Sequence, residues 1–262
     1  MTIYGFEELQ EKFSALKAAG ALGHAYLFFG DSEIGKWQFA RALAGFFERG
    51  SWNESPDPLL DALFIERDPE KSSIGIDAVR AARQFLWQTP LRSPFRYIAV
   101  NDAYLLTPEA QGAMLKLVEE PPSHAFISFI SFDPSTLDAP LRSRLQRMYC
   151  RRMPRHDLEK ILVSSFGVSA AAAEKAAVKA YGRIGRALAV LGKVPGDNRP
   201  EDDPERAIEE AIVSIHSSSG SRAASGVLKR LLARESAIKR FNINGPLQTK
   251  AFQTEIYESN RR

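Results

Sequence analysis

YIAVNDAYLLTPEAQGAMLKLVEEPPSHAFISFISFDPSTLDAPLRSR, residues Tyr97–Arg144, is the stretch whose pattern decides the fold. Tyr97–Val100 is a short apolar run bounded by a polar turn, as expected of a buried parallel strand. Leu106, Ala110, Ala113, Met114, Leu117 and Val118 then recur at helical spacing. Thr107 and Pro108 stand where an N-cap and a first-turn proline belong. Pro121-Pro122 ends this helix, because the ring removes an amide donor and clashes with the preceding turn. Phe126–Ile130 reads as a second buried strand, and Ser143-Arg144 follows it across a proline-containing loop.

Upstream, Tyr26–Phe29 predicts a strand running straight into Gly30-Asp31-Ser32-Glu33-Ile34-Gly35-Lys36. Strand, glycine loop and helix in that order is the context of a phosphate-binding loop. The glycines allow the tight turn, backbone amides face the phosphates, and Lys36 can reach the outer ones. The next position departs from the pattern. A Ser or Thr that would hold magnesium is replaced by Trp37, whose indole donates one N–H and ligates nothing. The expectation is a large ring near the metal and phosphate positions, and a loop that persists as a fold element without a working ATPase.

Composition excludes some classes. The chain has 262 residues, 44% hydrophobic and 26% charged, enough for more than one core. No apolar run approaches the roughly 20 residues of a membrane helix, and no charged-then-apolar leader is visible. Cys150 is the single cysteine, which excludes an internal disulfide and fits a reducing compartment. His24, His124, His156 and His216 lack ligand spacing, so no zinc or other metal site is expected. A net charge of +3 does not argue nucleic-acid binding by itself. Arg142, Arg144, Arg147, Arg151, Arg152 and Arg155 nonetheless crowd together, as a solvated or subunit-facing surface or as one near DNA phosphate.

These motifs resemble, in order, those of the clamp-loader AAA+ family, and most closely the delta-prime subunits of bacterial DNA polymerase III. The resemblance covers about residues 1–192. It rests on HAYLFFG (His24–Gly30), SIGIDAVR (Ser73–Arg80), MLKLVEEPP (Met114–Pro122) and Ser143-Arg144. It implies a three-layer α/β domain with a parallel sheet over 1–153 and a small helical lid over 154–193. A proline-rich linker over 194–204 and a helical collar segment over 205–262 would follow.

The resemblance also assigns positions in the catalytic site. The Walker B pair, Asp-Glu in a motor subunit, is here Asn101-Asp102, so the charge that helps hold magnesium is lost and the second acid is shorter. Ser131 falls at sensor 1. The sensor 2 arginine position falls on Gly185, with Arg186 one residue late, and a helix turns roughly 100° per residue.

Ser143-Arg144 matches the family's Ser-Arg-Cys motif, with Leu145 in place of the cysteine. There the arginine acts in trans on ATP bound by a neighbour. The implied role is a cytoplasmic stator subunit that helps load a sliding clamp onto primer–template DNA. Gamma/tau-type and delta-type loader subunits are its expected partners. Its own site (Gly30, Gly35, Lys36, Trp37, Asn101, Asp102, Ser131) is degenerate, requires no cofactor, and leaves ATP or ADP binding open. The alternatives are a motor-type ATPase subunit and a degenerate AAA+ adaptor outside replication.

Overall fold

The computed structural model describes residues 3–52 and 57–193. Five strands form one parallel sheet: β1 (Ala25–Phe29), β2 (Ala62–Ile65), β3 (Arg96–Val100), β4 (Ala125–Ser131) and β5 (Gln146–Tyr149). Their spatial order is β2-β3-β4-β1-β5, so the crossovers run through helices on both faces. Helix α1 (Glu7–Ala18) precedes β1, and four helices connect the strands: α2 (Lys36–Arg49), α3 (Ile76–Leu86), α4 (Pro108–Glu119) and the short α5 (Ala139–Arg144). Three more follow: α6 (Arg155–Phe166), α7 (Ala170–Ala180) and α8 (Ile184–Val190). The predicted linker and collar, 194–262, lie outside the described residues.

Side-chain alternation along the strands divides the core into two layers. Tyr26 and Phe28 of β1, Tyr97 and Ala99 of β3, and Phe126 and Ile130 of β4 face α1 and α2. Leu27, Ile98, Val100, Ile127 and Phe129 face α3 and α4. Every residue of β3 and β4 is buried, which is why both read in sequence as continuous apolar runs. The first layer is unusually aromatic. The Phe126 ring lies 4.7 Å from Phe47 and 5.1 Å from Tyr26, and Phe13 sits 5.1 Å from Tyr26. A third cluster, including Leu158, Leu162, Ala176, Ala180 and Leu188, packs α6–α8 together.

Local chemistry sets the element ends. Thr107 Oγ1 accepts the Ala110 N–H at 3.2 Å, and Pro108 occupies the first turn of α4. At the start of α1, by contrast, Phe6 takes the cap position without a side-chain hydrogen bond and buries its ring instead. Each predicted strand and helix within the described residues is present, with ends displaced by one or two residues.

One buried ion pair ties β2 to β3. The Asp61 carboxylate accepts N–H groups of Leu91, Arg92 and Ser93 at 2.6–2.8 Å, and stands 3.1 Å from Arg96 Nη1. Arg96 also donates to the carbonyls of Leu60 and Thr89. Burial alone would raise the Asp61 carboxyl, but the three N–H groups and Arg96 outweigh it and hold it below the ordinary 3.8. Its folded value being depressed, this stabilisation is present above pH 3.8 and is lost as pH falls through the folded value. Asp61→Asn is therefore expected to cost about 3 kcal/mol at pH 7 by leaving Arg96 buried without its counter-ion. Urea unfolding measures this, and the gap to wild type should close as pH drops below 3.8.

Candidate functional site

The loop after β1 turns at the C-terminal edge of the sheet, where α/β proteins of this kind bind ligands. Gly30 adopts φ +137°, and a Cβ on it would fall 2.2 Å from the Cys150 carbonyl oxygen, so only glycine fits. Gly35 (φ +97°) then starts α2 from a left-handed conformation. Lys36 folds back on the loop, donating to the carbonyls of Gly30 (2.7 Å) and Asp31 (2.5 Å). Burial lowers its amine to about 8, against the opposing pull of the Asp102 and Asp31 carboxylates. Cys150, also buried, has its thiol pushed up to about 12 and is no nucleophile. The loop thus keeps the backbone shape of a phosphate cradle, while the lysine that would meet the phosphates is engaged by the cradle's own carbonyls.

The remaining predicted positions gather at the same edge. Asn101 and Asp102 follow β3 directly; Asp102 has a left-handed backbone (φ +45°), and its charge is felt by Lys36. The Trp37 ring, partly buried, packs edge-on against Phe64 of β2, centroids 5.4 Å apart, at the border of the aromatic layer. An indole at this position supplies no hydroxyl for a magnesium ion. Ser131 ends β4, yet its hydroxyl is engaged in the following turn, 2.9 Å from Thr136 Oγ1 and 3.1 Å from the Asp133 carbonyl. Among the described residues, no three His, Cys, Asp or Glu side chains converge on a metal position.

Helix α8 meets the loop through Gly185. The Gly185 N–H donates to the Glu33 carbonyl at 2.8 Å, and Glu33 itself has φ +62°. A Cβ on Gly185 would lie 3.0 Å from that oxygen, so an arginine there would push the loop away. Arg152 adds a two-pronged ion pair to Asp31 of the same loop, at 2.6 and 2.7 Å.

Arg144 lies elsewhere. It closes α5 just before β5, at the N-terminal edge of the sheet, whereas the loop leaves β1 at the C-terminal edge. Its Nη2 pairs with Glu119 Oε1 of α4 at 2.9 Å, and its Nη1 donates to Ser143 Oγ at 2.9 Å. Ser143 donates in turn to the Pro140 carbonyl at 2.8 Å. Nearly half of the Arg144 side chain is exposed (48%). The arginine run is thus largely paired within the chain: Arg151 with Glu8, Arg152 with Asp31, Arg155 with Glu159 and Glu174.

The Glu119–Arg144, Arg152–Asp31 and Gly185–Glu33 pairings were not anticipated by sequence reasoning, which named Asp31, Arg152 and Gly185 without their partners. Each pairs residues far apart in the chain, with no local spacing to mark it; Glu119 was visible only as part of MLKLVEEPP. The Lys36 arrangement carries a pH consequence. Its folded value (about 8) lies below its ordinary 10.5, so between those values the unfolded chain binds the extra proton. Stability should rise across that interval, by at most about 3 kcal/mol from this group. Thermal unfolding at pH 7, 8, 9 and 10 of wild type and Lys36→Met is expected to show the rise in wild type only.

With the geometry described, the similarities to known proteins are informative. The family described as DNA polymerase III, delta subunit, matches residues 5–154. The chain is similar to the DNA polymerase III subunit gamma/tau of Mycobacterium tuberculosis H37Rv, 27% identical over 173 residues, 61% of this chain and 30% of that protein. It is also similar to the Escherichia coli K12 DNA polymerase III subunit delta', 33% identical over 128 residues, 49% of this chain and 37% of that protein. The chain thus spans about a third of the length of these curated relatives. Among solved structures, a gamma subunit-related protein of Thermotoga maritima superposes with a TM-score of 0.55 at 21% identity, covering 95% of this chain and 99% of that one. The Thermotoga maritima RuvB branch migration motor gives 0.50 at 17% identity, covering 87% and 82%. These two share the fold, an AAA+ α/β P-loop arrangement. With the family matched over more than half its length and its motifs in order on that fold, the chain belongs to the DNA polymerase III delta subunit family of AAA+ clamp-loader proteins.

Proposed function

We propose that this chain is a delta-prime-like stator subunit of a bacterial clamp loader: its own ATP site is degenerate, and Arg144 serves a neighbouring ATPase subunit in trans. The observation that carries the proposal is the separation of the two features. Arg144 is half-exposed at the N-terminal edge of the sheet, out of reach of its own loop at the C-terminal edge. At that loop, Trp37 is committed to Phe64, Asn101 lacks the charge of an acid, and Lys36 is engaged by carbonyls. A chain of this kind contributes charge stabilisation to another site rather than turnover at its own.

On this reading the partners are gamma/tau-type and delta-type loader subunits, and through them a sliding clamp and primer–template DNA in the cytoplasm. ATP or ADP in the chain's own loop is not required, and no zinc is involved. The match to gamma/tau proteins extends over more residues than the match to delta'. That favours, as a second reading, a motor-type subunit. Magnesium-dependent turnover by the purified chain decides between them: none is expected, and saturable turnover abolished by Lys36→Met would establish the motor reading.

The trans role is tested in the loader reconstituted with clamp and primed DNA, with assembly followed by size-exclusion chromatography. Arg144→Ala is expected to leave assembly intact and lower ATP hydrolysis at least about tenfold, a barrier increase of about 1.4 kcal/mol. Unchanged turnover in an intact assembly would make Arg144 a structural residue.

A further inference from the structure

Resting on that reading, we infer that Glu119 is a positioning residue for Arg144, holding the guanidinium by one edge in the orientation that meets a neighbour's γ-phosphate. Glu119 is the last residue of α4, held there because Pro121-Pro122 stops the helix immediately beyond it. An acidic side chain at this end is unfavourable to the helix dipole, so its charge does not serve α4 itself. The charge is used across the gap to α5, where Oε1 lies 2.9 Å from Arg144 Nη2. Ser143 takes Nη1 at 2.9 Å and is itself fixed by the Pro140 carbonyl.

Two of the five N–H groups of Arg144 are thereby engaged, from two different nitrogens, which restrains both the position and the plane of the guanidinium. The other three remain for a ligand, and nearly half of the side chain is exposed. An unrestrained arginine must give up rotamer freedom when it reaches the transition state; one held along an edge has already done so. Glu119 also answers a question left by the motif MLKLVEEPP: why an acid follows the apolar face of α4. In the neighbour's site, water attacks the γ-phosphorus and the bond to the β–γ bridging oxygen breaks, giving ADP and phosphate. Arg144 neither gains nor loses a proton in this step.

The test uses the reconstituted loader with clamp and primed DNA, reading kcat and KM for ATP. Glu119→Ala is expected to lower kcat about three- to fivefold, the rate equivalent of a half-exposed ion pair, with KM within about twofold. Glu119→Gln, whose amide oxygen still accepts from Nη2, should recover part of the loss. Adding Glu119→Ala to Arg144→Ala should change nothing further, since the only route of action is gone. An unchanged kcat in Glu119→Ala, or an equal further loss in the Arg144→Ala background, would overturn the inference. If Arg144→Ala alone leaves turnover unchanged, the trans role itself fails; if Arg144→Ala is slow and Glu119→Ala is not, only the positioning role fails.

Discussion

The parallel pairing of β1 between β4 and β5 is the constraint on which the rest of the structure depends. Backbone hydrogen bonding on both sides buries β1 and sets its register: Phe28 lies beside Ile130 on one side and Met148 on the other. Because the strands are parallel, every strand-to-helix loop leaves at one edge and every return arrives at the other. The glycine loop after Phe29 and the Asn101-Asp102 turn after Val100 therefore share the C-terminal edge. Arg144, which leads into β5, is held at the opposite edge, about one strand length away, roughly 15 Å at 3.3 Å per residue. A loop and an arginine so placed cannot serve one ligand in one chain. The separation of the glycine loop from Arg144 follows from the topology before any side chain is considered.

Charge then fastens the elements that the sheet has positioned. The arginines around β5 each reach a different part of the fold: Arg144 to α4, Arg151 to α1, Arg152 to the glycine loop, Arg155 to α6 and α7. Most of these pairs are half-exposed, and pairs so exposed to water contribute little to stability. Their effect is orientation more than stability. The two-pronged Arg152–Asp31 pair and the Gly185–Glu33 hydrogen bond both hold the loop from the α6–α8 side. Much of this basic run is thus paired with acids of the same chain while staying exposed to solvent.

Much of this was legible in the sequence for a simple reason. Strands buried on both faces must be continuous apolar runs, helix ends need caps or prolines, and a tight phosphate loop needs glycine at its corners. Residues 97–144 meet the first two conditions within 48 positions and residues 30–36 meet the third, so the order of elements could be read directly. The change at Trp37 was equally plain, because an indole offers no ligand to a cation. Where its ring would go was not, since that depends on Phe64, a residue on a strand whose neighbourhood is defined only by β2 pairing with β3.

Sequence alone thus determined the strands and most of the helices, the parallel α/β architecture, and the residue types that stand at positions 37 and 101, because these depend on residue type and on spacing within a few positions. Tertiary structure decided which distant groups meet. Lys36 turns onto its own loop, Ser131 into its own turn, Gly185 onto Glu33, and Glu119 takes hold of Arg144. Such contacts join residues brought together by sheet pairing and helix packing, and a pairwise distance of 2.9 Å between side chains 25 positions apart leaves no periodic trace in the chain.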